Sequence, residues 1–327
     1  MKLLAGDIGG TSSRFQWFDT EDPGYLSPLF CYKSGGSASF GELLKALFLD
    51  SGLERADLAC FGLPGPGCAT EVALTNLPWR ISVDELKRQL PLGEVTLIND
   101  FHAAALGIDS LEPKDLICLH PGDFDPLGNR LVVGAGTGLG VEPVCQLEGQ
   151  FYPQPSEGGH MAFAPQNAEQ DRLLAWLRQL TGQVSYECLL SGDGLERIYR
   201  FHSQQRSAGH PLRGLTAADV HTQAEAGDEV ATSALRTFVN IYAQFIVDAA
   251  LLWQARAGIY IAGGIAAKIA RWMQGDDFTR SFLAERSMSE LVEKMPVYLV
   301  RDELLGLKGA MSLARRQAVN QPSKEGR

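Results

Sequence analysis

The stretch KLLAGDIGGTSSRFQWF, residues 2–18, sets two apolar runs on either side of a glycine pair. Lys2 to Gly6 reads as a strand, because the run is short, apolar and stopped by Asp7-Ile-Gly-Gly-Thr11. Arg14 to Phe18 reads as a second strand, closed by the turn cluster Asp19-Thr-Glu-Asp-Pro-Gly24. Strand, glycine loop, strand predicts a hairpin. A dinucleotide-binding unit would instead lead from its glycine loop into a helix.

Downstream, Phe30 to Lys33 is a candidate third strand, and Ser39-Phe-Gly-Glu42 has capping-box spacing. Phe40, Leu43, Leu44, Leu47 and Phe48 recur at helical intervals, so a helix follows that cap. Leu58 to Leu63 is strand-like and ends at Pro64-Gly-Pro-Gly67. In VTLINDFHAAA, residues 95–105, an apolar β-branched run ends in Asn99 and Asp100 just before helix-forming residues. Those two polar residues are either a helix cap or a ligand site, since open α/β sheets bind ligands at the carboxyl ends of their strands. Leu131-Val-Val133, Gly134-Ala-Gly-Thr-Gly-Leu-Gly140 and Val141 to Gln146 repeat the strand, glycine loop, strand order, which suggests an internal duplication.

The remainder is more helical. Asn167 to Leu180 places Leu173, Leu174, Leu177 and Leu180 on one face. Leu235, Phe238, Val239, Tyr242, Phe245, Ile246, Ala249, Leu252 and Trp253 form the longest apolar stripe, that of a core helix. Gly258 to Gly264 is a strand ending in a glycine pair, Val297 to Val300 a late strand and Leu304 to Ala314 a last helix; the polar tail Gln317 to Arg327 is expected to fray.

Bulk properties narrow the function. A chain of 327 residues corresponds to about two domains. A formal net charge of -10 argues against wrapping nucleic acid or lying on anionic lipid. It does not forbid anionic ligands held by backbone N–H groups. The start MKLLAGDIGG is too short an apolar run for a signal peptide, and no stretch approaches ~18 uninterrupted apolar residues, so no membrane span is expected. The six cysteines (31, 60, 68, 118, 145 and 188) are scattered without a C-x-x-C pair, which suits a reducing cytoplasm and argues against a structural zinc site or a disulfide framework.

Three strand ends carry glycine loops: Asp7 to Thr11, Gly134 to Gly140, and Ala262-Gly-Gly264. Each alone is explained by turn chemistry; three in one chain, two with a threonine, favour nucleotide phosphate. No G-x-x-x-x-G-K-[ST] occurs, so this is not a P-loop protein. Asp7 beside such a loop is either an Asx turn residue or the partner of a Mg²⁺ ion lying between carboxylate and phosphate. Glu157-Gly-Gly-His160 lies in an irregular, proline-flanked segment, and Glu187 stands near a helix start. Lone Glu and His residues of this kind are usually solvated.

Taken together, the motifs resemble those of the bacterial glucokinase family, the hexokinase branch of the actin-like ATPase superfamily. The resemblance covers nearly the whole chain. Gly6-Asp-Ile-Gly-Gly-Thr11 looks like the first phosphate loop, Gly134 to Gly140 the second, and Ile261-Ala-Gly-Gly-Ile265 the adenosine segment. Leu97-Ile-Asn-Asp-Phe101 looks like the catalytic strand end; Thr75-Asn-Leu-Pro-Trp79, Glu157-Gly-Gly-His160 and Glu187 look like sugar-binding elements. The first loop departs from the family by carrying Ser12 where relatives commonly have Asn, and the zinc cysteines of repressor-type sugar kinases are absent after His160.

The resemblance implies a two-domain α/β fold of the actin-like ATPase (ribonuclease H-like) type with an interdomain cleft. The small domain would be 1–108 with 303–327 and the large domain 109–302. It implies transfer of the γ-phosphoryl group of ATP to the 6-hydroxyl of D-glucose, with Asp100 as general base. Asn76, Asn99, Asp100, Glu157, His160 and Glu187 would bind the sugar. Gly6, Asp7, Ile8, Gly9, Gly10, Thr11, Gly136, Thr137, Gly138, Gly263 and Gly264 would hold ATP, with Mg²⁺ at Asp7 through water. A homodimer, cleft closure on glucose, and no nucleic-acid or membrane partner complete the expectation. A non-catalytic sugar sensor on the same scaffold is disfavoured because Asp7 and Asp100 are both present and no DNA-binding extension precedes residue 1. A nicotinamide oxidoreductase using Gly134 to Gly140 is the remaining alternative.

Overall fold

A computed structural model describes residues 1–65, 70–74, 77–205, 215–284 and 287–320. The chain divides into two compact units, Met1–Glu112 with Asp302–Arg327, and Pro113–Arg301. The first boundary falls after the short 3-10 turn Ile108–Ser110, four residues beyond the expected 108, and the second one residue before the expected 303.

The first unit is built on a six-stranded sheet. Its strands are β1 (Lys2–Ile8), β2 (Ser12–Asp19), β3 (Asp22–Leu26), β4 (Phe30–Lys33), β5 (Ala56–Leu63) and, after a small two-stranded pair β6 (Glu71–Ala73) and β7 (Arg80–Ser82), β8 (Leu92–Asn99). The expected hairpin is present: β1 and β2 pair antiparallel from Lys2↔Asp19 to Ile8↔Ser13. β1, β5 and β8 then run parallel, so their carboxyl ends lie on one edge. Helix α1 (Phe40–Ser51) starts where Ser39 Oγ accepts the Glu42 N–H, and it ends at Gly52 in the left-handed conformation that glycine adopts without strain. Helices α2 (Val83–Gln89) and α3 (Asp100–Gly107) precede and follow β8.

Alternation along the strands sorts side chains to the two faces of this sheet. Leu4, Phe15, Ala59, Phe61 and Leu97 meet Phe40, Leu43, Leu44 and Trp79 on one face. Leu3, Ala5, Leu58, Cys60 and Ile98 meet Ala103, Leu106 and the last helix on the other.

The second unit holds another six-stranded sheet. Its strands are β9 (Leu116–His120), β10 (Arg130–Ala135), β11 (Leu139–Leu147), β12 (Gln150–Pro153), β13 (Ile259–Ala262) and β14 (Val297–Val300), in the order β12-β11-β10-β13-β14-β9. β10 and β11 form a hairpin around the second glycine loop, and β13 joins β10 in parallel. That is the connectivity of β1, β2 and β5, so the repeated motif corresponds to a repeated substructure. The second glycine loop leads into a strand and not a helix, which removes the basis for the nicotinamide reading.

Its helices are α4 (Ala168–Thr181), α5 (Gly192–Gln205), α6 (Ala217–Glu225), α7 (Glu229–Trp253), α8 (Gly264–Lys268), α9 (Ala270–Met273), α10 (Asp276–Phe282) and α11 (Ser289–Val292). The apolar face of α4 is narrower than its spacing suggests, for Leu173 and Leu177 are buried while Leu180 is exposed in the last turn. Helix α7 is long and apolar enough, by length and composition, to cross a membrane, yet 72% of that window is buried inside the unit. It is the core helix, packed between α5, α6, α10 and the sheet. Asp228 caps it by accepting the Ala231 N–H at 2.8 Å.

The last helix, α12 (Leu305–Asn320), returns to the first unit and crosses α3. Glycines make the crossing close: a Cβ on Gly107 would run into the Leu305 carbonyl, and one on Gly309 into the Ala103 carbonyl.

Candidate active site

In each unit the glycine loops stand at the carboxyl ends of parallel strands. In the first unit Asn99 closes β8 and caps α3. Its Oδ1 accepts the N–H groups of Phe101 (2.8 Å) and His102 (3.3 Å), and its Nδ2 donates to the Gly65 carbonyl (2.8 Å). Both lone-pair positions of that oxygen are therefore occupied, and one amide hydrogen is left for a ligand. The capping duty suggested for this dipeptide falls on Asn99. Asp100 is the first helical residue, half-buried, and its Oδ1 accepts the adjacent Phe101 N–H (3.0 Å).

Asp7 stands across the sheet edge at the end of β1. Its pKa is raised to about 6, first by burial, then by the Asp100 charge, against the opposing pull of Arg14. Arg14 is also engaged elsewhere: its Nη2 donates to Glu303 Oε2 at 2.9 Å and its Nη1 to the Glu303 carbonyl at 3.0 Å. The Asp100 carboxylate thus adds to the cost of charge on Asp7. A Mg²⁺ ion held mostly by water and phosphate uses one or two carboxylates, so the pair fits that ion. Among the described residues, no three His, Cys, Asp or Glu side chains are grouped to hold a metal by themselves.

The first glycine loop is braced from below. Gly9 N–H donates to the Ser12 carbonyl (2.9 Å), Ser34 Oγ donates to the Gly9 carbonyl (2.6 Å), and Ser34 N–H donates to the Thr11 carbonyl (3.0 Å). The fully buried Ser13 and Ser34 hydroxyls meet at 2.9 Å. Gly10 and Thr11 remain exposed at the tip. Gly6 and Ile8 belong to the core. Phe15 and Phe61 fill the space a Cβ on Gly6 would need, and Ile8 is fully buried, so each offers a ligand only its backbone. Asn76 lies outside the described residues.

Sequence patterns give no sign of Gly306. The Asp7 carboxyl lies 3.1 Å from where a Cβ on Gly306 would stand, in the first turn of α12. Only the long-range fold brings them together.

In the second unit, segment 157–163 runs beside segment 184–187. Tyr186 N–H donates to the Met161 carbonyl and Phe163 N–H to the Val184 carbonyl, each at 3.0 Å, and the Phe163 and Tyr186 rings meet edge to face. This pairing brings His160 Nδ1 to 3.9 Å from Glu187 Oε1. Glu157 and His160 are exposed and Glu187 is half-buried, so their polar atoms are available to a ligand. Gly159 is buried, and a Cβ there would strike the Leu139 carbonyl.

The second glycine loop is turned by Gly136 N–H donating to the Gly138 carbonyl at 2.8 Å, with Thr137 exposed at its tip. Gly138 sits directly under the Glu187 carboxylate, and Leu139 N–H donates to Glu187 Oε2 at 2.9 Å. Gly263, with φ +92°, ends β13 beside the Ala135 backbone, and Gly264 begins α8. Ala135 N–H donates to the Tyr242 hydroxyl at 3.1 Å, and burial pushes that phenol's pKa up. The hydroxyl therefore stays neutral under the loop.

Comparison with known proteins shows the family of the chain. The glucokinase family model matches residues 4–317. A glucokinase of Chromohalobacter salexigens is 34% identical over 321 residues, covering 97% of this chain and 98% of the relative. The crystal structure of a glucokinase from an Antarctic psychrotroph superposes with a TM-score of 0.84 at 28% identity, over 96% of this chain and 99% of the other. A Balamuthia mandrillaris glucokinase in complex with glucose shares the fold with a TM-score of 0.80 at 22% identity, over 96% and 93% of the two chains. The chain belongs to the glucokinase family, enzymes that phosphorylate sugar.

Proposed function

We propose that this protein is an ATP-dependent glucokinase of the actin-like ATPase superfamily, transferring the γ-phosphoryl group of ATP to the 6-hydroxyl of D-glucose. The observation that carries the reading is the division of labour at the end of β8: Asn99 takes the cap, and Asp100 stands in the charged region it shares with Asp7. A carboxylate placed so can accept the hydroxyl proton as the sugar oxygen bonds to phosphorus and the bond to the β-phosphate oxygen breaks, leaving ADP and glucose 6-phosphate.

The remaining residues position and neutralise. The last Nδ2 hydrogen of Asn99, the carboxylates of Glu157 and Glu187 and the His160 ring hydrogen-bond the ring hydroxyls. A site of this kind rejects an analogue lacking one hydroxyl by ~10⁴, because its own polar groups then stay unpaired. Backbone N–H groups at Gly10, Thr11 and Thr137 hold phosphate oxygens without needing net positive charge, and Gly263 and Gly264 flank the adenosine. Asp7 would hold Mg²⁺, which neutralises charge on the phosphates.

The test is a coupled assay of the purified protein over a panel of hexoses and phosphoryl donors, repeated with Asp100→Asn. Glucose with ATP should give the highest kcat/KM, and the variant should lose about 10²–10⁴ in kcat with KM little changed. Wild-type turnover by Asp100→Asn would overturn the assignment of the base.

A further inference from the structure

Gly138 was expected to serve phosphate, yet its immediate neighbour is a sugar-site carboxylate. An ideal Cβ on Gly138 would stand 2.5 Å from Glu187 Oε2 and 3.3 Å from Glu187 Cδ. The carboxylate is pinned there from the next residue, because Leu139 N–H donates to the same Oε2 at 2.9 Å. The other oxygen, Oε1, is the one turned toward His160, at 3.9 Å. Glycine is not demanded by the backbone at this position: Gly138 does not have the left-handed φ that marks Gly263. The Glu187 carboxylate is what excludes a side chain.

Further contacts tie the same loop to the sugar elements. Gly192 N–H donates to the Gly136 carbonyl at 2.9 Å, and Ser191 Oγ donates to the Glu187 carbonyl at 2.9 Å. The Leu139 carbonyl faces Gly159 of the Glu157–His160 segment. The N–H and the carbonyl of one residue, Leu139, therefore touch both segments that carry the expected sugar ligands.

We propose that Gly138 and Leu139 are positioning residues for the sugar site, setting the Glu187 carboxylate from within the loop that faces the nucleotide. The loop's N–H fixes one carboxylate oxygen and leaves the other for a sugar hydroxyl. A charge-assisted hydrogen bond of this kind holds geometry tightly, and misplacement of a substrate-orienting group by about 1 Å costs on the order of 10² in rate. The inference rests on the reading of Glu187 as a sugar ligand.

The test uses the full chain carrying Gly138→Ala, Glu187→Asp and both together. Gly138→Ala should weaken glucose binding, titrated calorimetrically with glucose alone, by about 10-fold or more, and raise KM for glucose alike. KM for ATP should move by less than about 3-fold, and the unfolding midpoint should hold, since the change is local. Aspartate at 187 withdraws the carboxylate by one methylene and makes room for the new methyl. The double variant should therefore bind glucose no worse than Glu187→Asp alone, a non-additive cycle. Losses that add, or a KM for ATP that rises while glucose binding is unmoved, overturn the proposal. A wild-type protein that fails to bind or phosphorylate glucose overturns the functional reading instead, and that result is visible before any variant is made.

Discussion

Asp7 is held where its own charge is costly. Burial and the Asp100 carboxylate raise its pKa from 3.8 to about 6. The folded protein therefore binds more protons than the unfolded chain between those values, and stability falls as pH rises through that window. At about 1.4 kcal/mol per pKa unit the effect is at most about 3 kcal/mol, and less because the residue keeps some contact with solvent. Asp7→Asn should accordingly raise the urea midpoint near pH 7.5 in the absence of Mg²⁺ while abolishing kinase turnover, and the stability gain should vanish below about pH 4. A variant less stable than the parent at pH 7.5 would show that burial and Asp100 are not what shift this carboxyl. At the same scale, Ser34 braces Gly9 and Thr11 from beneath, so Ser34→Ala leaves the Gly9 carbonyl without its side-chain donor. A loss of about 1–3 kcal/mol is expected, read as a lower unfolding midpoint.

At the scale of elements, the crossing of α3 with α12 is the tightest joint in the first unit. Gly309→Ala would press a methyl onto the Ala103 carbonyl, backbone against backbone, with no side chain able to yield. We expect a loss of about 3 kcal/mol or more. Gly35→Ala, where nothing lies within 4 Å, should change the midpoint by less than about 0.5 kcal/mol and serves as the control. Much at this scale is legible in the sequence, because local chemistry writes it. Ser39 and Glu42 announce α1, Gly9 and Gly10 announce the first hairpin, and the stripe from Leu235 to Trp253 announces α7. The edge strand β9 is not legible, since Leu116 to His120 alternates no clear face and becomes a strand only by pairing antiparallel with β14. Nor does spacing show that Leu180 ends in solvent. The site divides in the same way. Asn99, Asp100 and the glycine loops stand out by their positions at strand ends. Gly306 beneath Asp7 and Gly138 beneath Glu187 are contacts across the folded chain that no local pattern encodes.

At the scale of the whole molecule, two separately cored units carry the proposed machinery. One core is centred on α7; the other is split over the two faces of the first sheet. Ligand should stabilise by mass action: at about 100 times its Kd, glucose adds about 2.7 kcal/mol to the folded protein. Calorimetric scans with glucose should show a raised unfolding midpoint, and an epimer that is not phosphorylated should give a smaller shift. A glucose scan superimposable on that of the free protein would contradict the sugar site. The return of α12 to the first unit governs how the polypeptide is born. Leu307, Ala310, Met311 and Ala314 complete the core beneath Leu3, Ala5 and Ile98, yet the ribosome delivers them only after all of Pro113–Arg301 has been made. At about 5–20 residues per second, the nascent amino-terminal sheet waits on the order of ten seconds or more with one apolar side bare. Vectorial synthesis thus lets the middle of the chain mature first, and an early stop codon anywhere before residue 305 leaves the opening sheet permanently sticky.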